Sequence, residues 1–202
     1  MLLIEMYGDS TTWGQELVNG EWVQSASNVP SVLQSKYPTG VTVVNCGIGG
    51  LTMPQMVQGA APATKAWDAT MRDSHANVVT LNFGINDASQ TWEDDTNIVY
   101  YINQLISIAQ AHGKAVVVET SNPINTPQYN RLSQVSYLIR TVSHQRSLVL
   151  ADHHAWIQTG IPNWTTLLPD GVHPNAALYN YKADNLYAIM NPLVQSMLAN
   201  GA

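Results

Sequence analysis

Five short runs rich in valine, isoleucine and leucine alternate with helical patterns along this chain of 202 residues. The runs cover residues 1–6, 41–44, 78–83, 114–119 and 148–151. Near-continuous apolar runs of this length are typical of strands buried on both faces of a parallel sheet. Strands that alternate with helices are typical of βαβ units. The pattern therefore predicts an α/β fold: a single domain over residues 1–202, flavodoxin-like, with one doubly wound five-stranded parallel sheet and helices on both faces.

Helical periodicity separates these strands. It predicts helices over residues 28–37, 53–71, 96–112, 128–146, 155–159 and 175–198, with Pro62 interrupting the second. Gly113 follows the third helix where a capping glycine belongs. The polar, glycine-containing segment 12–22 predicts a loop. Right-handed crossovers would leave the carboxyl ends of all five strands along one edge, where functional groups should collect.

Charge and composition exclude several classes of partner. Charged residues make up 11% of the chain, against about 25% in a typical protein, and the net charge is −6 without a basic cluster. Nucleic acid and membrane are therefore not expected as partners. No apolar run reaches the roughly 18 residues of a membrane span. The amino terminus lacks the basic region of a signal peptide, which predicts a cytoplasmic protein by default and leaves export after removal of a signal open.

Cys46 is the only cysteine. A single cysteine excludes an intrachain disulfide and any multi-cysteine metal site. Its place at the end of a strand indicates a small buried apolar residue rather than a nucleophile. The oligomeric state is not encoded in any pattern of the sequence.

Polar side chains follow the predicted strands at their carboxyl ends. Ser10 follows the first strand, Gly47 the second and Asn86 the third, while Asp170 and His173 precede the last helix. A hydroxyl nucleophile, a base, a group that orients the base and donors for an oxyanion are the parts of an acyl-transfer site. Each of these segments, taken alone, is also compatible with an ordinary turn.

Four sequence blocks follow one another along the chain: Gly8-Asp9-Ser10, Asn45-x-Gly47-x-x-Gly50-x-Thr52, Gly84-x-Asn86-Asp87 and Asp170-x-x-His173-Pro174. The second block is not a dinucleotide fingerprint, because Thr52 stands where the third glycine would be, and it lacks the lysine of a phosphate-binding loop. In this order, the four blocks resemble those of the SGNH hydrolases, also called the GDSL esterase/lipase family. The first block departs from the common G-D-S-L pattern only in Thr11.

The resemblance implies a role for each matching residue. Ser10 would attack the acyl carbonyl, His173 would act as general base and then as general acid, and Asp170 would orient the imidazole. The oxyanion would be held by the backbone N–H groups of Ser10 and Gly47 and by the side-chain amide of Asn86. This chemistry needs neither a metal nor another cofactor. Asp9 would be a structural hydrogen-bonding residue.

Two further sets of residues have more than one interpretation. Asp152, His153 and His154 could join Asp170 and His173 in a zinc site, but the family roles already account for the last two, and Asp152 is typical of a helix N-cap. Four residues near the blocks are candidates for substrate binding, with packing of the loops as the alternative for the tryptophans. These are Thr11, Trp13, Trp92 and Trp164.

The expected function is that of a serine esterase. The segments between the blocks are too short for a lid domain, which favours short-chain acyl esters, in particular acetyl esters, including those of O-acetylated carbohydrates. The expected partner is thus a small-molecule or carbohydrate ester. Two alternatives remain: a thioesterase or lysophospholipase with the same fold, and a non-catalytic carbohydrate-binding or virion-associated module.

Overall fold

A computed structural model describes residues 1–37, 39–127 and 130–201. Its elements follow in chain order. The strands are β1 (Leu2–Gly8), β2 (Gln15–Val18), β3 (Glu21–Gln24), β4 (Val41–Gly47), β5 (Val78–Phe83), β6 (Ala115–Thr120) and β7 (Val149–Ala151). The helices are α1 (Ser10–Trp13), α2 (Val29–Lys36), α3 (Met53–Gln58), α4 (Trp67–Asp73), α5 (Ile85–Ser89), α6 (Asp95–Ala111), α7 (Leu132–Gln145), α8 (His153–Gly160) and α9 (Ala176–Ala199).

The main sheet has five parallel strands in the order β4-β1-β5-β6-β7. The predicted α/β fold is therefore confirmed. One apolar core lies between one face of the sheet and α3, α4, α6 and α7, and a second lies between the opposite face and α2 and α9. The chain moves outward from β1 to β4 and then returns to β5 on the other side of β1. The carboxyl ends of β1 and β5 thus lie at the topological switch point, where open α/β sheets bind ligands.

Segment 12–22, predicted to be a loop, is the main difference from the expected secondary structure. It completes α1 and forms an antiparallel hairpin of β2 and β3, with Leu17 opposite Trp22. Asn19 and Gly20 form its turn with φ values of 53° and 86°. Positive φ at both central residues is the mark of a type I′ turn, and Asn-Gly is its strongest sequence signal. The hairpin could therefore have been predicted from these two residues.

Most predicted helices are present with shifted ends. The predicted helix 53–71 is divided into α3 and α4, because Gly59 ends α3 with a φ of 72° and residues 59–66 are not helical. Gly113 follows α6 with a φ of 75°, as predicted for a capping glycine. The predicted helix 128–146 is observed from Leu132, and its first two residues lie outside the described part of the chain. In the described ranges, no helix combines the length and apolar character needed to cross a bilayer.

Residue His154, near the start of α8, makes stability dependent on pH. The side chain is 5% exposed, and its Nε2 lies 3.2 Å from the Oγ of Ser133. Burial lowers the pKa of His154 below the ordinary value for histidine. Between that lowered pKa and about 6.5, the unfolded chain binds a proton that the folded chain does not, so stability rises with pH in this window.

We therefore expect the contribution of His154 to the free energy of unfolding to fall as the pH is lowered through about 6.5. His154→Gln should reduce this dependence, since glutamine does not titrate. Urea unfolding at several pH values measures the effect, and His75→Gln is the control because His75 is exposed. An identical pH dependence in His154→Gln and the wild type would contradict the assignment to His154.

Candidate active site

The position of Ser10 is set by the tight connection between β1 and α1. Asp9 caps α1, and its Oδ1 accepts hydrogen bonds from the backbone N–H and the hydroxyl of Thr11 at 2.8 and 2.9 Å. Asp9 thus has the structural role expected of it. A Cβ on Gly8 would lie 2.2 Å from Thr12 Oγ1 and 2.4 Å from the carbonyl oxygen of Asn82. Glycine at this position therefore allows the chain to turn from the strand directly into the helix that begins at Ser10.

Ser10, His173 and Asp170 form a continuous chain of hydrogen bonds. Ser10 Oγ lies 2.9 Å from His173 Nε2, and His173 Nδ1 lies 2.7 Å from Asp170 Oδ2. Asp170 Oδ1 also accepts from the backbone N–H groups of Val172 and His173, at 3.0 and 2.7 Å. Because both carboxylate oxygens are used, the acid and the imidazole are held on one turn. An Nδ1–H directed at Asp170 leaves Nε2 free to accept the proton of the Ser10 hydroxyl.

The environment of Asp170 keeps its carboxyl group ionised. Burial by itself would raise the pKa of this group. The hydrogen bond with the His173 imidazole and those from the backbone N–H groups of His173 and Val172 outweigh burial, so the pKa of Asp170 lies below its ordinary value. A carboxylate that stays charged at neutral pH can stabilise an imidazolium on His173.

Ser10 and His173 open into a small cleft of about 210 Å³. Among the described residues, its polar side chains are a hydroxyl, an imidazole and two carboxamides, and no carboxylate, ammonium or guanidinium group lines it. The lining residues are Ser10, Gln15, Gly49, Gly50, Ile85, Asn86, Val172 and His173.

Asn86 reaches this cleft from the first turn of α5, directly after β5. Its Nδ2 donates to the carbonyl oxygen of Leu51 at 3.1 Å. The neighbouring Asp87, which is fully buried, accepts from the backbone N–H of Met53 at 2.8 Å. These two bonds tie the loop after β5 to the loop after β4. They hold the Asn86 amide in place while its second N–H remains available to a ligand.

The expected oxyanion donor Gly47 is contradicted by the geometry. Its N–H donates to Asn45 Oδ1 at 3.0 Å, and the residue does not line the cleft. A Cβ at this position would lie 2.1 Å from the backbone nitrogen of Trp13, so glycine is needed for packing against α1 rather than for approach to substrate. Gly50 does line the cleft, and its N–H has no protein acceptor in the described ranges.

Three of the four residues predicted to bind substrate lie elsewhere, and the fourth lies beside the cleft. Thr11 is fully buried under the Asp9 cap, so its side chain cannot contact a ligand. Trp164 packs in a small apolar cluster with α8 and α9. Trp92 is exposed, donates to Gln90 at 3.2 Å and does not line the cleft. Trp13 lines an adjoining depression that shares Gln15 and Gly49 with the cleft.

One aromatic residue at the site was not predicted from the sequence. Trp22, on β3, meets the His173 ring edge to face, with 5.2 Å between ring centroids and an angle of 70° between the planes. The segment had been interpreted as a loop, so nothing connected residue 22 with residue 173. The Asn19-Gly20 turn is the signal that would have placed Trp22 on a hairpin.

The alternative zinc site is not formed. Asp152 caps α8, accepting from the N–H of Ala155 at 3.3 Å, and pairs with Arg140, while His153 is buried with its Nε2 3.1 Å from Glu119. In the described ranges, no group of three or more histidine, cysteine or carboxylate side chains could hold a metal ion.

Comparisons with known proteins agree with this fold and with these sequence blocks. The model of the GDSL-like lipase/acylhydrolase family matches residues 6–181. No curated protein matches the sequence.

Solved structures give the same result for the fold. A member of the lipolytic protein G-D-S-L family from Veillonella parvula is similar with a TM-score of 0.77, 16% identity and coverage of 95% of this chain and 99% of that one. The lipase/acylhydrolase from Enterococcus faecalis has a TM-score of 0.76, 17% identity and coverage of 94% and 95%. The acetylxylan esterase Axe2 from Geobacillus stearothermophilus has a TM-score of 0.71, 18% identity and coverage of 94% of both chains. The match of the family model over most of the chain shows that this protein belongs to the GDSL-like lipase/acylhydrolase family and is a carboxylic ester hydrolase.

Proposed function

We propose that this protein, as a single domain over residues 1–202, is a serine esterase that removes short acyl groups, in particular acetyl, from neutral esters such as O-acetylated carbohydrates. The observation that carries the proposal is the chain of hydrogen bonds from Ser10 through His173 to Asp170. It opens on a small cleft whose described lining carries no ionisable side chain apart from the imidazole of His173.

The proposed reaction proceeds through a covalent acyl-enzyme. Ser10 Oγ attacks the ester carbonyl while His173 Nε2 takes the hydroxyl proton. The negative charge on the carbonyl oxygen is stabilised by the backbone N–H groups of Ser10 and Gly50 and by Asn86 Nδ2. His173 then donates its proton to the leaving alcohol. A water molecule, activated by His173, hydrolyses the acyl-enzyme and restores Ser10.

The size and charge of the cleft support a small neutral substrate. Coenzyme A thioesters and phospholipids carry phosphate groups, which proteins usually bind with arginine or lysine. The cleft has neither, and the whole chain has a net charge of −6. Its hydroxyl and carboxamide groups suit the hydroxyl groups of a sugar. Axe2, which has the same fold, is an acetylxylan esterase.

One observation favours longer acyl chains as a second candidate. The depression beside Trp13 shares Gly47 and Ile48 with a recess of about 310 Å³ that is mainly apolar. Tyr7, Met56 and Ala63 form part of its wall. An acyl chain that ran from Ser10 across Ile48 into this recess would be sheltered from water, as a thioesterase or lysophospholipase would need.

A panel of substrates tests these two candidates. We expect kcat/KM for p-nitrophenyl acetate to exceed that for the octanoate at least about tenfold, because the cleft at Ser10 is small. Acetate should also be released from O-acetylated xylan, and acetyl-CoA should be hydrolysed poorly. A preference for the octanoate would instead favour the second candidate, and no hydrolysis of any ester would contradict both.

Asn86→Ala tests the oxyanion site. We expect kcat to fall roughly 10²–10³-fold with little change in KM, since the amide would bind the oxyanion more strongly than the substrate carbonyl. Asn103→Ala is a suitable control, because Asn103 lies on α6 and does not line the cleft. Steady-state kinetics with p-nitrophenyl acetate measure both variants. An unchanged kcat in Asn86→Ala would remove Asn86 from the oxyanion site.

A further inference from the structure

The β2–β3 hairpin is firmly attached at the edge of the cleft. The hydroxyl of Tyr179 donates to the carbonyl oxygen of Gln15 at 2.7 Å, and Glu16 Oε1 accepts from the N–H of Ala176 at 2.8 Å. The other strand is tied to the end of α1, where Gln24 Nε2 donates to the carbonyl oxygen of Trp13 at 2.8 Å. The hairpin is therefore held both by the helix that follows His173 and by the helix that begins at Ser10.

The register of the hairpin decides which side chains face the cleft. Gln15 is opposite Gln24, and Leu17 is opposite Trp22. Opposed residues of an antiparallel pair lie on the same face, and alternate residues along a strand share a face. All four of these side chains therefore lie on one face of the hairpin. Gln15 lines the cleft and Trp22 contacts His173, so this is the face turned toward the active site.

Two features of this face are not explained by folding alone. Trp22 remains 53% exposed although its ring contacts His173 on an anchored hairpin. Gln15 lines the cleft, and among the described residues its hydrogen bond to α9 is made by the backbone carbonyl and leaves the carboxamide unused. An exposed indole costs solvation free energy that burial would recover. One face of the hairpin therefore carries an exposed aromatic ring against His173 and a glutamine in the lining of the cleft.

We propose that Trp22 is the stacking surface for the sugar ring that carries the ester, and that Gln15 binds a hydroxyl group of the same sugar. The C–H faces of a pyranose are apolar and suit an indole ring, whereas its equatorial hydroxyl groups need donors and acceptors such as a carboxamide. This inference rests on the proposed esterase function and names the part of the substrate that leaves as the alcohol. It assigns substrate recognition to the hairpin.

Two esters with the same acyl group separate recognition of the sugar from the chemistry. One is methyl β-D-xylopyranoside carrying a single acetyl group, and the other is ethyl acetate, which has no ring to stack. In Trp22→Ala the ratio of their kcat/KM values is expected to fall about tenfold, mainly through KM for the sugar ester. Trp22→Phe should retain most of the ratio, because it keeps an aromatic ring, and Trp22→Leu should not. Trp92→Ala is the matched control, since Trp92 is similarly exposed, at 57%, but its indole bonds to Gln90 on another segment rather than packing on His173.

Binding without turnover provides a second measurement. In the Ser10→Ala background, titration with the acetylated xyloside followed by NMR should give a Kd about tenfold weaker when Trp22→Ala is added. An unchanged ratio, or an equal loss with both esters, would overturn the inference, since an equal loss would mean that Trp22 only supports His173. If the wild type hydrolyses neither ester but the titration still depends on Trp22, the esterase proposal fails while the sugar site stands.

Discussion

Ser10→Ala is expected to lower kcat for p-nitrophenyl acetate on the order of 10⁵-fold or more, because the covalent intermediate can no longer form. The backbone N–H of residue 10 remains in this variant, so the oxyanion donors persist and some rate enhancement over water should survive. Ser10 is 6% exposed, and its hydroxyl bonds only to His173 among the described residues, so its removal should leave the fold intact.

Two controls make this result specific. Ser35→Ala, on the exposed side of α2, removes a hydroxyl of the same kind far from the cleft and should retain full activity. A fluorophosphonate ester should add one phosphonyl group to the wild type and none to Ser10→Ala, as read by mass spectrometry. Activity in Ser10→Ala above about one per cent of the wild type, or labelling of that variant, would exclude Ser10 as the nucleophile.

Asp170→Asn is expected to lower kcat about 10⁴-fold while changing the shape of the site very little. The asparagine oxygen can still accept from the backbone N–H groups of Val172 and His173, as Asp170 Oδ1 does. The amide nitrogen, however, would face His173 Nδ1 and donate to it. The imidazole proton would then have to be on Nε2, which could no longer accept the proton of Ser10.

The appropriate control for Asp170→Asn is another aspartate in an ion pair. Asp184 pairs with Lys36 on the surface, so Asp184→Asn should leave kcat unchanged. The thermal unfolding midpoints of both variants should be measured with the kinetics, to separate loss of the tautomer from loss of the fold. A fall of less than about tenfold in Asp170→Asn would contradict a role for Asp170 in orienting His173.

The framework of the fold could be predicted because its signals are local. The five apolar runs became five parallel strands, since their side chains need burial on both faces and the intervening periodic segments supply helices to cover them. The hairpin was missed because its two strands are short and mostly exposed, so that they lack the apolar run that marks the other strands. Only the Asn19-Gly20 turn indicated it.

The parts of the candidate site that directly follow a strand could be predicted from the sequence, because the end of each strand fixes their place at the edge of the sheet. Parallel strands place their carboxyl ends together, and Gly8, Gly47 and Asn82 do lie beside one another in the sheet. Ser10 and Asn86 therefore meet at one cleft, joined by His173 from the segment before α9. Gly47 was wrong as an oxyanion donor because a glycine in the right block does not reveal whether its N–H is free, and Asn45 occupies that N–H.

By itself, the sequence determined the class of fold and predicted that Ser10, Asp170 and His173 would lie together, as their hydrogen bonds show that they do. Apolar periodicity and strand ends are properties of neighbouring residues, so they can be recognised without coordinates. Only the tertiary structure decided that the N–H of Gly47 is taken by Asn45 whereas that of Gly50, among the described residues, has no acceptor, that Thr11 is buried and that Trp22 lies on His173. These features depend on contacts between segments as distant as β3 and the turn before α9, and no pattern of neighbouring residues contains such contacts.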